Sequence, residues 1–232
     1  MKAIIMAGGL GARLRPLTNE LPKPMMPIID KPILSYILEL LKMYGFTDIG
    51  ITLNYKPDCI INYFKDGSDF DVKLTYFIET SPLGTAGSIK NAADFLGESF
   101  LVMSGDSFTD INLQEFVSFH FKKDAAFTLA CKQYDNTSGF GVLETARDGR
   151  ILKFVEKPED NKSGLVNTGI YMINKNVLGM IPDGFYDFGK NLLPRLIGHG
   201  LYSWKTDCFW SDIGSLPSYY STNYYVACNL PQ

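Results

Sequence analysis

One stretch constrains this chain more than any other: Met6-Ala-Gly-Gly-Leu-Gly-Ala-Arg-Leu-Arg-Pro-Leu-Thr18, followed by Pro22-Lys-Pro-Met-Met-Pro27. Lys2 to Ala7 is a near-continuous apolar run, the pattern of a strand buried on both faces of a parallel sheet. It ends in Gly8, Gly9 and Gly11. With no Cβ in the way, the backbone from Ala7 to Gly11 can approach an anion and converge its amides on phosphate oxygens. Arg13 and Lys23 then add two cations. A Walker A loop needs Gly-Lys followed by Ser or Thr, whereas Gly11 is followed by Ala12 and Arg13. A dinucleotide fingerprint needs a third glycine where Leu14 stands, and the next strand ends without an acid for a ribose.

The rest of the chain predicts an α/β protein. Pro32 and Gly45 bracket a helix over Ile33 to Tyr44, with Ile33, Ile37, Leu40 and Leu41 on one face. Strands are predicted at Asp48 to Leu53, Val72 to Ile78, Ser99 to Met103 and Ala125 to Cys131. Helices are predicted at Asp58 to Phe64, Thr85 to Phe95 and Leu113 to Lys122. This βαβ series implies a Rossmann-like, doubly wound, mostly parallel (mixed) sheet with ligands at the carboxyl ends of its strands. Beyond Tyr134, Gly139-Phe-Gly141, Asp148-Gly149 and Ile151 to Val155 suggest a hairpin in a small β-rich lobe. A strand at Val166 to Ile173, a helix at Asp187 to Leu196 and a tyrosine-rich terminal helix at Ser215 to Cys228 complete the reading. One domain of two halves, 1–133 and 134–232, is expected.

The chain has 232 residues, 46% hydrophobic and 20% charged, with net charge −3. That leaves no electrostatic footprint for nucleic acid and no basic cluster for a membrane surface. The first apolar run is too short for a signal-peptide core and no stretch approaches a membrane span, which predicts a cytoplasmic protein. Cys59, Cys131, Cys208 and Cys228 show no metal-ligand spacing and read as buried thiols. His120 and His199 read as helix or surface residues, and self-association into a homo-oligomer is compatible with the sequence.

Gly-Gly-x-Gly-x-Arg-Leu-x-Pro-Leu-Thr with Lys-Pro-Met-x-Pro resembles the signature of sugar-1-phosphate nucleotidyltransferases, and the resemblance spans essentially the whole chain. It implies attack by a sugar-1-phosphate oxygen on the α-phosphorus of a nucleoside triphosphate, with pyrophosphate released and Mg²⁺ in the clamp. The protein's work is then alignment and charge neutralisation. Arg13 and Lys23 would meet the phosphates. Asp106, at the end of the apolar strand Leu101-Val-Met-Ser-Gly-Asp106, and Asp212, in Trp210-Ser-Asp-Ile-Gly214, match the family's Mg²⁺ ligands. Asp110 reads as a turn acid. Phe154-Val-Glu-Lys-Pro158 is similar to the Glu-Lys-Pro box, in which Glu156 accepts from sugar hydroxyls and Lys157 pairs with the sugar's phosphate. Adjacent strand residues point to opposite faces, so this pair needs a bulge or strand end to share one ligand. Gly141 and Asn167 match further sugar-contact positions.

Glu79-Thr-Ser-Pro-Leu-Gly-Thr-Ala-Gly87 resembles the base-reading loop, with Gly84 and Thr85 near the base and Glu79 at its edge. A carboxylate only accepts, so it suits guanine's N1–H and amino donors better than uracil or thymine. The loop looks most similar to the guanylyltransferase branch. GTP with mannose-1-phosphate, or a GDP-heptose product, is therefore expected. UTP- or dTTP-dependent transfer to glucose-1-phosphate and a non-catalytic nucleotide-sugar-binding subunit are the alternatives; the latter is expected to lose a cation or an aspartate, and all are present. Two positions depart from the family pattern: Ala12 stands where Thr is usual and Phe140 where Tyr is frequent. Longer relatives continue past the terminal helix into further domains.

Overall fold

The structure, a computed structural model, describes residues 1–159 and 162–229. Its elements run β1 (Lys2–Met6), β2 (Pro27–Ile28), β3 (Lys31–Pro32), α1 (Ile33–Met43), β4 (Asp48–Leu53), α2 (Pro57–Phe64) and β5 (Lys73–Ile78). Next come α3 (Gly84–Asn91), β6 (Ser99–Ser104), β7 (Ser107–Thr109), α4 (Leu113–Lys122), β8 (Phe127–Tyr134), β9 (Gly141–Thr145), β10 (Ile151–Glu156) and β11 (Gly164–Asn174). A π-helical turn (Phe188–Leu192), α5 (Leu193–Leu196), β12 (Leu201–Lys205), β13 (Trp210–Asp212) and α6 (Leu216–Asn229) follow. The α/β class and the mixed sheet are as the sequence predicts.

The chain forms two compact units, each assembled from separate segments. The first comprises Ala3–Ser81, Ser104–Ile111 and Cys208–Gln232. Here β4 pairs in parallel with both β1 and β5. Ala3, Ile4, Ile5, Ile49 and Ile51 have no exposed surface, which is why β1 reads as a near-continuous apolar run. Helix α1 buries Ile33, Leu34, Ile37, Leu38 and Leu41 and ends where Gly45 takes φ +79° and donates its amide to Lys42 O at 2.9 Å. Helix α6 packs through Val226, Tyr219 and Tyr225 on a cluster of Met26, Ile28, Ile33, Phe108 and Ile213. Tyr219 donates to Pro27 O at 2.6 Å, and the Phe209 and Tyr225 rings stack at 3.6 Å.

The second unit comprises Met1–Lys2, Pro82–Met103 and Asn112–Asp207. Its sheet is mainly antiparallel: β11 pairs with β6, β8 and β9, and β10 with β9, while β12 runs parallel to β8. The hairpin expected after Tyr134 is β9–β10. Helix α4 starts at Asn112, whose side chain accepts from Glu115 N at 3.1 Å and donates to Glu115 Oε1 at 2.8 Å. His120, on α4, is buried between Thr128 Oγ1 at 2.8 Å and Asn174 Oδ1 at 3.0 Å.

Three local expectations need correction. The helix expected to reach Phe95 ends at Asn91, after which Ala92 to Leu96 continue as single turns. The helix expected from Asp187 begins as a π turn and only Leu193–Leu196 is α-helical. Of the cysteines read as buried, Cys131 is buried, Cys59 and Cys208 are half-buried and Cys228 is exposed, because α6 buries only one stripe against the cluster. No described helix is long and apolar enough to cross a membrane.

Candidate active site

In the first unit the glycine loop leaves β1 at Ala7, whose amide bonds to Thr52 O at 3.0 Å. Gly8 lies against Asn54, and Gly9 is exposed with open space around it. Gly11 takes φ +62°, and a Cβ there would come within 3.1 Å of Thr18 and 3.3 Å of the Lys23 stem. Thr18 Oγ1 closes the loop on Gly11 O at 2.8 Å. This glycine is needed because the turn packs directly on the segment that carries Lys23.

Lys23 sits at the start of a 3-10 turn behind Pro22, and its side chain is only 7% exposed. Its ammonium bridges two carboxylates: Nζ donates to Asp106 Oδ2 at 2.6 Å and to Asp212 Oδ1. Two short strands bring those acids together. β7 and β13 pair antiparallel with Asp212 opposite Ser107, and Ile213 N donates to Asp106 O at 3.3 Å. Gly105 makes this placement feasible: its amide bonds to Met6 O at 2.8 Å, and a Cβ would lie 2.9 Å from that oxygen. Ser104 Oγ holds Asp106 Oδ1 at 2.6 Å.

Charge in this cluster is finely opposed. Burial pulls the Lys23 pKa down, yet Asp106 and Asp212 outweigh it and leave the ammonium above its ordinary value. Burial also works against the Asp106 carboxylate, but Lys23 and Ser104 hold it below the usual carboxylate range. Asp212 is pushed up by burial and by the negative charge of Asp106, despite Lys23 and Arg13. Two carboxylates with an ammonium between them form a place built for positive charge. That donor set suits Mg²⁺, which is commonly bound by one or two carboxylates together with substrate phosphates rather than by an all-protein cage. No group of three or more His, Cys, Asp or Glu side chains that could hold a metal ion occurs among the described residues.

Arg13 is 66% exposed, with Nη2 3.5 Å from Asp212 Oδ2. A Cβ on Gly214 would come within 2.8 Å of Arg13 Nη2 and 2.9 Å of Asp212 Oδ2. The glycine of Trp-x-Asp-x-Gly is thus the floor on which that pair rests. Because Arg13 has a mobile end, Gly214→Ala is expected to leave the melting temperature within a few degrees while lowering turnover about ten- to hundredfold; thermal melts and steady-state rates measured together check this. Asp110 proves structural, accepting from Phe209 N at 2.7 Å and Tyr225 Oη at 2.5 Å. Glu79 is half-buried just beyond β5, its amide on Leu53 O at 2.7 Å.

The second unit gathers the remaining candidates. Glu156 ends β10 opposite Gly141 of β9, and a Cβ on Gly141 would lie 2.9 Å from Glu156 Oε2. Lys157 takes φ +48°, a left-handed conformation that costs a non-glycine residue about 1–2 kcal/mol. This supplies the strand end that the Glu-Lys pair requires: alternation stops, and Lys157 Nζ comes 3.8 Å from Glu156 Oε1. Burial pushes the Glu156 carboxyl up against the pull of Lys157 and Lys190, with Asp187 adding to the rise. Asn167 lies at a bulge in β11 where Gly169 takes φ +76°; its Oδ1 accepts from Gly169 N at 3.0 Å and its Nδ2 donates to Tyr171 Oη at 2.9 Å. Thr85 is held by Asp187 and Phe188 through its hydroxyl and amide, and Gly84 lies against Tyr186. Sequence reasoning did not single out Tyr171, Asp187 or Gly189. Ser104, Gly105 and Gly214 were visible as members of quoted motifs, but without a role.

Over residues 2–228 the chain matches the family described as Nucleotidyl transferase. UTP--glucose-1-phosphate uridylyltransferase of Synechocystis sp. is 38% identical over 239 residues, covering 95% of this chain and 62% of the relative. Mannose-1-phosphate guanylyltransferase 1 of Arabidopsis thaliana is 36% identical over 226 residues, covering 94% of this chain and 63% of the relative. This chain therefore spans less than two thirds of the length of these curated relatives. Among solved structures, HddC from Yersinia pseudotuberculosis complexed with GMP-PN matches with a TM-score of 0.85 and 30% identity over 96% of this chain and 98% of that one. A glycine loop, a buried lysine and a pair of strand-end aspartates on this fold, with a family match along nearly the whole length, lead to one assignment: the chain belongs to the nucleotidyl transferase family.

Proposed function

We propose that the protein transfers a nucleoside monophosphate from a nucleoside triphosphate to a sugar-1-phosphate, giving a nucleoside diphosphate sugar and pyrophosphate, with GTP and mannose-1-phosphate as the substrates. The observation that carries this reading is the Lys23 ammonium held between Asp106 and Asp212 beside the glycine loop. In the reaction a sugar-phosphate oxygen forms a bond to the α-phosphorus while the bond to the β-phosphate's bridging oxygen breaks. The loop amides from Ala7 to Gly11 cradle the triphosphate, and the mobile guanidinium of Arg13 follows the departing pyrophosphate. Lys23 keeps its proton throughout, because its pKa lies above the ordinary value, and acts as a fixed positive charge. Asp106 and Asp212 would hold Mg²⁺, which when bound neutralises charge on the phosphate oxygens. Glu156 accepts from sugar hydroxyls, Lys157 pairs with the sugar's phosphate, and Gly141 and Asn167 shape the pocket. The 1–133 half then serves mainly the nucleotide and the 134–232 half the sugar phosphate, in a cytoplasmic enzyme.

Base choice rests on Glu79, and the GMP-PN complex of HddC supports a guanine nucleotide. The 38% identity to a UTP-dependent enzyme favours a second reading, UTP with glucose-1-phosphate. Pyrophosphate release from GTP, UTP, dTTP and ATP with a panel of sugar-1-phosphates and Mg²⁺ separates them; release with none of these pairs overturns both. On the first reading, Glu79→Gln should narrow the GTP preference by about 1–3 kcal/mol in kcat/KM, the cost of an imperfectly paired buried polar group. An unchanged ratio removes Glu79 from base recognition. Lys157→Ala should raise the KM for sugar phosphate more than that for the triphosphate.

A further inference from the structure

The segment 184–189 touches both sets of residues that the proposed reading assigns to substrates. On one side it locks the Leu83–Gly87 loop. Tyr186 N donates to Leu83 O at 2.8 Å, and Ala86 N and Gly87 N both donate to Tyr186 O at 2.9 Å. Asp187 Oδ1 accepts from Thr85 Oγ1 at 3.1 Å and Thr85 N at 3.3 Å, and Phe188 N donates to Thr85 Oγ1 at 2.8 Å. The fit leaves no slack: a Cβ on Gly84 would stand 2.7 Å from Tyr186 O, and one on Gly87 would run into Gly184 O. On the other side, Gly189 lies bare against the Glu156 carboxylate. A Cβ there would meet Oε2 and stand 2.7 Å from Cδ. Asn191 Oδ1 accepts from Asp187 N at 2.9 Å, so Asp187 is anchored to the same π turn that holds Gly189. A π turn is a local irregularity of the kind that recurs at functional sites.

We propose that this segment couples the two substrates, with Asp187 as the positioning residue: fixing Glu156 on a sugar phosphate fixes Gly189, and through Asp187 it fixes the Gly84–Thr85 loop on the nucleotide. The inference rests on the roles given to Glu156, Gly84 and Thr85 under Proposed function. Coupling of this kind is reciprocal, so each substrate tightens the other by the same factor. Asp187 touches neither substrate and acts through Thr85.

The test is calorimetry with guanosine 5′-(α,β-methylene)triphosphate and mannose-1-phosphate, with the uridine analogue and glucose-1-phosphate as a second arm. In the parent, a saturating sugar phosphate should lower the Kd of its paired nucleotide analogue about fivefold or more, within the range usual for coupled sites. Asp187→Ala, and independently Thr85→Val, should bring that ratio close to one while both ligands still bind. Asp187→Asn keeps the accepting oxygen and should restore the ratio, which a merely structural role would not require; thermal melts confirm that each variant is folded. A parent ratio of one with both ligands bound, or an Asp187→Ala ratio equal to the parent's, overturns the coupling and leaves the functional reading standing. A parent that binds neither pair overturns both.

Discussion

A Lys23→Met variant is expected to lose turnover by roughly two orders of magnitude or more, the scale for removing a preorganised charge at a transferring phosphate. It should also change the pH dependence of stability that the parent shows. In the parent, Lys23 lies between Asp106 and Asp212 with a folded pKa above the ordinary 10.5. Its stabilisation is therefore complete below that value and is lost only as the pH rises through the folded pKa. Asp106, held below 3.8, contributes stability that is present above that value and lost as the pH falls through its folded pKa. Neither transition falls between pH 5 and 8. Methionine keeps the packed stem and removes the charge, leaving two part-buried carboxylates facing each other; breaking such a cluster costs about 3 kcal/mol or more. The carboxylate pair then takes up its first proton more readily in the folded state than in the unfolded chain, so stability rises as the pH falls through that step. The buried His120, held below its ordinary value, lets stability fall in both proteins as the pH drops through the ordinary histidine range, so the reading is the difference: from pH 8 to pH 5 the melting temperature of the variant should rise relative to that of the parent. Mg²⁺ should raise the variant's melting temperature more than the parent's, since the cation between the aspartates is gone. Near-normal turnover, or a pH profile of the variant parallel to that of the parent, would sink the role given to this ammonium.

Much of this cluster was legible in the sequence because its parts announce themselves locally. The run into Gly8 and Gly9, the Pro22-Lys-Pro24 frame and the apolar strand ending in Gly105-Asp106 each carry their own physical signal. The contact between Asp106 and Asp212 does not. It depends on β7 and β13, strands of three residues each, too short for alternation to register and separated by about a hundred positions in the chain. Strand direction in the second unit was equally hidden. β11 reads as a strand by composition, but its antiparallel pairing with three partners is a property of tertiary packing. Glu156 and Lys157 were recognisable as a box, and the need for a break in alternation could be argued. Its solution, a left-handed lysine before a proline, is disfavoured by local preference and held by context. Asp187 carried no signal because its partner, Thr85, lies a hundred residues upstream.

Asp106→Asn and Asp212→Asn should each raise the Mg²⁺ concentration needed for half-maximal rate by about tenfold or more, since an amide supplies no charge to a hard cation that relies on few protein ligands. The two variants should differ in a second respect. Asp106 is held by Ser104 and Lys23, so its amide can keep one contact while Lys23 retains Asp212 as a counter-ion. Asp212 meets both Lys23 and Arg13, and its loss releases Arg13 as well. Asp212→Asn is therefore expected to weaken triphosphate affinity in addition to its effect on the metal requirement, whereas Asp106→Asn should act chiefly through the metal. Asp110→Asn provides the control. That carboxylate is occupied by Phe209 N and Tyr225 Oη, so its replacement should lower stability by about 1–2 kcal/mol and leave the Mg²⁺ dependence unchanged. Magnesium titrations at saturating triphosphate, with nucleotide affinities measured separately, read all three variants. Overlaying curves for Asp106→Asn, Asp212→Asn and the parent would mean that the carboxylates around Lys23 hold a lysine and nothing more.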